Sequence, residues 1–139
     1  MLACLLFFLA SPTINPPSEE DLAQARALYA AGDYQAAVTL FDRVVAQTPD
    51  LTEAWLGRAL THLKAGDTTP ARRDFEHTLR LAEQDHQKKP ALARPQYHQA
   101  VAHHYLGHVD KALKAIKRAM YLDPNSEAYQ AFYQQLKAL

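Results

Sequence analysis

The stretch Gly32-Asp-Tyr-Gln-Ala-Ala-Val-Thr-Leu-Phe-Asp-Arg-Val-Val-Ala-Gln-Thr-Pro49 returns twice, altered, along this 139-residue chain. Gly32, Ala37 and Phe41 are followed 34 residues on by Gly66, Ala71 and Phe75, and after a further 41 by Gly107, Ala112 and Ile116. An alanine stands seven residues before each glycine, at Ala25, Ala59 and Ala100. Pro49 and Pro124 close the first and third copies, and Glu83 occupies that slot in the second. Self-similarity at such a period marks stacked helical hairpins, none of which can bury its apolar side alone.

The residue types explain themselves physically. Glycine gives the turn between two helices the backbone freedom it needs. Alanine lets paired helices approach closely, since a longer side chain would hold their axes apart. Phe41, Phe75 and Ile116 are sized to fill the space between a hairpin and its neighbour. Proline stops the second helix because it cannot continue the hydrogen-bond ladder.

With these positions in hand, Trp55-x3-Ala59-x6-Gly66-x4-Ala71-x3-Phe75 resembles the motif of the tetratricopeptide repeat family, over roughly residues 18–126. The resemblance implies an all-α fold, a right-handed superhelical α-solenoid of helix-turn-helix hairpins. Its repeats fall at about 18–51, 52–83 and 93–126, and a C-terminal helix at 126–139 caps the array. Such repeats are usually binding scaffolds, and what they bind varies widely.

Local signals set expectations for the helix ends. Ser18-Glu-Glu-Asp21 is a capping-box-like start for a first helix running to Ala31, and Asp33 is placed to cap the second, which continues to about Gln47. Thr52 or Asp50 is expected to cap the helix carrying Trp55, and Thr69-Pro70 to open its partner. The seven extra residues before the third copy fall between Ala82 and Arg94. Seven residues are about two helical turns, so the fourth helix should run on to near Gln87, with a loop around Pro90. Tyr129, Phe132, Tyr133 and Leu136 share one face of the terminal helix and cover the last hairpin.

Residues 1–17 stand apart from the repeats. Leu2 to Ala10 is a nine-residue apolar run, too short to span a bilayer as a helix, followed by Ser11-Pro-Thr-Ile-Asn-Pro-Pro17. This looks like a signal-peptide core and linker, although no Lys or Arg precedes it and Phe8 is bulky for a cleavage site. Export to a periplasmic or extracellular location is the expectation, with any membrane contact made through this segment if it is retained. The protein is cytoplasmic if the segment is not a signal. Cys4 is the only cysteine, so there is no intramolecular disulfide.

Fifteen basic and fifteen acidic side chains balance, and the total gives no reason to expect nucleic acid. They are not evenly spread. Residues 18–51 carry six acids and two bases, residues 52–83 five of each, and residues 84–139 four acids and eight bases. The stripe Lys111, Lys114, Lys117 and Arg118 follows helical spacing without interleaved aromatics, and reads as a solvated outer face.

In the family, first helices of successive hairpins line a concave groove that takes peptides. Carried over by position, the groove residues here are Leu22, Arg26 and Tyr29; then Leu56, Leu60, Leu63 and Lys64; then Arg94, Tyr97, His98, Val101, His104 and Tyr105. Such a surface, apolar and aromatic with cations at intervals, suits a protein or peptide segment with apolar anchors and some acidic character. The carboxylate clamp of the co-chaperone type falls here on Leu22, Arg26, Gly57, Arg94 and His98. Only Arg94 keeps its role, so that clamp is not expected.

His98, His103, His104 and His108 crowd one helix and its turn, but Gly107 ends the helix between the last two and no cysteine or acid completes a set. Packing accounts for them, and no metal or cofactor is expected. No phosphate loop or nucleophile motif points to an enzyme. Two readings follow: a scaffold holding another protein's segment, and a module whose role is to self-associate.

Overall fold

The computed structural model describes residues 19–139. Its seven helices are α1 (Glu19–Ala30), α2 (Tyr34–Gln47), α3 (Thr52–Ala65), α4 (Thr68–Lys88), α5 (Ala93–Tyr105), α6 (Val109–Leu122) and α7 (Glu127–Lys137). There is no strand among the described residues. Ser18, Cys4 and the apolar N-terminal run lie outside them. Each helix packs against the next in the chain, while α1 with α3 and α3 with α5 also touch. This is the topology of an α-solenoid of antiparallel hairpins, with α1, α3 and α5 sharing one side.

All three hairpin turns are built alike. Gly32, Gly66 and Gly107 take φ of 82°, 90° and 83°, in the left-handed region. Each glycine N–H donates to the carbonyl three residues back, and the next residue's N–H to the carbonyl five back: Asp33 to Leu28, Asp67 to His62, His108 to His103. These two bonds per turn satisfy carbonyls that the helix end would otherwise leave unpaired. A side chain at any of the three glycines would meet open space, so the backbone angle is what demands glycine there.

The alanine ladder is the spine of the core. Ala25, Ala37, Ala59, Ala100, Ala112 and Ala119 are all fully buried. Phe41, Phe75 and Ile116 sit between hairpins and are sealed from solvent. Phe41 presses on the backbone of α3 at Gly57, and Phe75 stacks on Tyr105 of α5, ring centroids 5.2 Å apart. At the far end Phe132 and Leu136 of α7 are buried against the third hairpin.

Helix starts depart from expectation in two places. Asp33 does cap α2, its Oδ1 accepting from the Ala36 N–H at 3.2 Å. However, α3 begins at Thr52 with Leu51 in the cap position and no side-chain cap. The Thr52 hydroxyl instead donates to Asp85 Oδ2 at 2.6 Å, tying α3 to α4. Likewise α4 starts at Thr68 with Asp67 before it, so Pro70 is the third helical residue rather than the first. Proline is still accommodated, because no residue in the first turn needs its N–H for the ladder. The second helix of that repeat runs to Lys88, 21 residues against 14 in α2 and in α6.

Candidate functional site

The trough side of the array contains a hollow of about 360 Å³ between α1, α3 and α5. Its bottom is set by one missing side chain. Gly57 has no Cβ, and an atom placed there would lie 2.5 Å from the Phe41 ring, which therefore floors the hollow. Leu56, Leu60 and Val101 form apolar walls, Tyr29 and Tyr97 aromatic ones, and His98 closes one end. At the rim Arg26 of α1 pairs with Glu53 of α3, each partly exposed.

The lining is uncharged at neutral pH apart from that pair. Burial raises the Tyr29 phenol above its ordinary value, and does the same for Tyr97, where Tyr129 and Tyr105 add to the effect. His98 is 7% exposed, and burial drives its pKa down to about 4, against the opposing charge of Glu53. Its Nδ1 is buried without a hydrogen-bond partner. The site is thus a neutral apolar socket with a charged lip, suited to an apolar side chain on a chain with polar flanks.

Seven of the groove residues read from sequence meet around this hollow: Arg26, Tyr29, Leu56, Leu60, Tyr97, His98 and Val101. The other six lie elsewhere. Leu22 packs into the core of the first hairpin and Leu63 against that of the later two. Lys64 is exposed, and its charge acts on the Tyr29 phenol. Arg94 is exposed beside a second cavity of about 630 Å³, which reaches from the α4–α5 loop to Tyr129 and shares His98 as a wall. His104 turns its ring edge-on to Phe132 of α7, centroids 5.8 Å apart. Tyr105 is occupied in stacking on Phe75.

Sequence reasoning missed Gly57 and Glu53. Gly57 counted there only as an absent clamp residue, although a lone glycine inside a helical pattern signals close approach. Among the histidines, the pair that meets is His103 with His108, Nδ1 atoms 3.4 Å apart, not His104 with His108. The turn at Gly107 folds His108 back over His103, whose pKa is lowered by burial and then by His108 and Lys111. Among the described residues no three His, Cys, Asp or Glu side chains are grouped to hold a metal ion. No described helix is long and apolar enough to cross a membrane.

Comparison with known proteins places this geometry. Tetratricopeptide repeat models match residues 22–86 and 93–126. No curated protein matches the chain. Among solved structures, the second tetratricopeptide domain of human RPAP3, in complex with an HSP70 peptide, aligns at 16% identity and a TM-score of 0.58, covering 87% of this chain and 95% of that one. The Yersinia enterocolitica type III secretion chaperone SycD, in complex with a peptide of the translocator YopD, aligns at 16% identity over 86% of both chains, TM-score 0.57. At those identities the likeness is one of fold. MamA from Desulfovibrio magneticus RS-1 is 27% identical over 88% of this chain and 64% of its own, TM-score 0.57.

Proposed function

This chain belongs to the tetratricopeptide repeat family, and from that premise we propose that it is a non-enzymatic scaffold holding a segment of another protein in its trough. The observation that carries the reading is the socket over Gly57, an apolar recess left open on the side where α1, α3 and α5 meet. One apolar side chain of the segment fills the recess and releases water, while its polar flanks meet Arg26, Glu53 and the exposed Lys64. Peptide complexes of RPAP3 and SycD support a peptide as the type of ligand. The clamp positions Leu22, Gly57 and His98 carry no amide or ammonium group, so recognition rests on the anchor side chain rather than on a terminal carboxylate.

The apolar run Leu2–Ala10 supports a setting outside the cytoplasm, in an exported or envelope assembly. Cell fractionation with sequencing of the mature N-terminus tests that location, and an intact Met1 in the cytosol refutes it. Self-association is the second reading, supported by the acidic first repeat and the basic last one.

Peptide-display selection on the immobilised protein tests the scaffold. Enriched peptides should share one bulky apolar residue and should bind Leu60→Asp about tenfold more weakly, since the substitution puts a charge in the socket wall. A library with no common anchor, or equal binding to a folded Leu60→Asp variant, ends this reading.

A further inference from the structure

On the side of α3 and α5 turned away from the trough, the array carries one cleft twice, with opposite contents. The first lies along α3 and α4 and holds about 320 Å³; the second lies along α5 and α6, next to the end of α4, and holds about 740 Å³. Their walls correspond at the 41-residue offset: Trp55 with Gln96, Arg58 with Gln99, Asp74 with Ala115, His77 with Arg118.

The first cleft is filled from within. Trp55 Nε1 donates to the Pro49 carbonyl at 2.9 Å, and its ring lies 4.0 Å from that of His77 and 4.7 Å from the Arg58 guanidinium. Arg58 donates to both oxygens of Asp74, at 2.7 and 2.9 Å, and to Asp42 at 2.8 Å. An aromatic ring and two carboxylates therefore engage Arg58, the innermost of the cleft's three arginines, while Arg73 and Arg80 stand exposed.

The second cleft keeps only one of these, Glu83 in the place of Asp42. Gln96 offers no ring, Ala115 no carboxylate, and Gln99 turns aside to Glu83 of α4 at 3.0 Å. Lys111, Lys114, Lys117 and Arg118 line the cleft, exposed, and form no ion pair among the described residues. At its floor the Nδ1 of His86 is buried without a hydrogen-bond partner, next to the largely buried side chain of Gln96. Tyr121, 77% exposed, stands at the edge under Arg118.

We propose that the α5–α6 cleft is a docking site for an acidic segment of a partner protein, one that places an aromatic side chain beside its carboxylates. Such a segment supplies from outside the ring and the carboxylate that Trp55 and Asp74 supply within the preceding repeat. Its carboxylates form charge-assisted bonds with the exposed cations, and its ring takes the place beside Gln96 that Trp55 fills in the first cleft, where an indole N–H could donate to the partnerless Nδ1 of His86. The site is on the opposite face from the trough and does not depend on it.

The test uses the full chain and a fluorescent peptide, Glu-Asp-Trp-Glu-Asp, followed by anisotropy. Binding should fall about tenfold between roughly 50 mM and 0.5 M salt, and about as far when the tryptophan is replaced by alanine. Lys114→Glu with Arg118→Glu, both on the surface, should weaken it at least about tenfold. Gln96→Trp with Gln99→Arg and Ala115→Asp rebuilds the preceding repeat's filling, so it should abolish binding and raise the melting temperature. Leu60→Asp, in the trough, should leave binding within about twofold. The proposal is overturned if the charge reversal leaves the peptide bound. It is equally overturned if an oligonucleotide of equal charge binds as tightly, or if these cations instead hold together two copies of this chain in sedimentation.

Discussion

The α3–α4 and α5–α6 hairpins share a core and differ in which face they leave open. Ala59 and Ala100, Ala71 and Ala112, Phe75 and Ile116 are buried at matching positions. On the trough side the second hairpin carries Gly57 and leaves a socket, whereas the third carries His98 at that position. Tyr97 beside it is covered by Tyr129 and Phe132 of α7, ring centroids 4.9 and 5.8 Å away. On the outer side the second hairpin is sealed by Trp55 and the Arg58–Asp74 pair, and the third is open. A few positions thus fix the stacking, and the rest are free to decide where the array can be approached.

Breaking the seal in the second hairpin should have the largest effect. The Asp74 side chain is 6% exposed and Arg58 17%, so Asp74→Ala leaves a poorly solvated guanidinium with only the more exposed Asp42 as its partner. The expected loss is about 3 kcal/mol in chemical denaturation, against less than about 0.5 kcal/mol for Gln99→Ala, which in the third hairpin removes the residue standing where Arg58 stands in the second. Equal costs at the two sites would show that the hairpins are not sealed differently.

A pH titration probes the trough side of the third hairpin. The folded-state pKa of His98 is about 4, below its ordinary 6.5, so the unfolded chain takes up its proton first. No penalty exists above pH 6.5, and stability falls as pH drops from there toward 4. Between pH 7 and pH 5 this should cost about 2 kcal/mol. His77 and His103 are shifted the same way and steepen the slope. His98→Gln should flatten the profile, and an unchanged slope would remove His98 as its source.

Gly57→Ala should give the smallest change in stability and still close the socket. The new Cβ forces the Phe41 ring aside, an overpacking cost of about 1–3 kcal/mol, from which the gain in helix propensity recovers up to about 1 kcal/mol. A net loss of roughly 1 kcal/mol with loss of trough binding sharpens the contrast with His98. A stabilised protein that binds as before would dissolve it.

What could be read from the residues alone was whatever the helix period and turn chemistry impose locally. The glycine turns, the alanine ladder and the run-on of α4 are spacing signals, and α4 ends one residue beyond the expected Gln87. What escaped depended on partners distant in the chain. Thr52 looks like a cap until Asp85, 33 residues away, takes its hydroxyl. Leu63, His104 and Tyr105 occupy groove positions by number, but packing between repeats engages them before any ligand does. Trp55 and Arg58 fitted a repeat motif and a charge count, and nothing local revealed that together they plug a cleft.

The overhang of α4 has a consequence of its own. Seven residues turn a helix through nearly two whole revolutions, about 700°, so the added length advances the chain by roughly 10 Å while hardly rotating its azimuth. Asp85 and Glu83, on that ledge, therefore still point back at α3 and α5, where they hold Thr52 and Gln99. An insertion of five residues at the same place, about 140° off a whole turn, would have swung those carboxylates away from α3 and α5. Near-integral pitch is what lets one storey of this building be taller than the others without twisting the staircase.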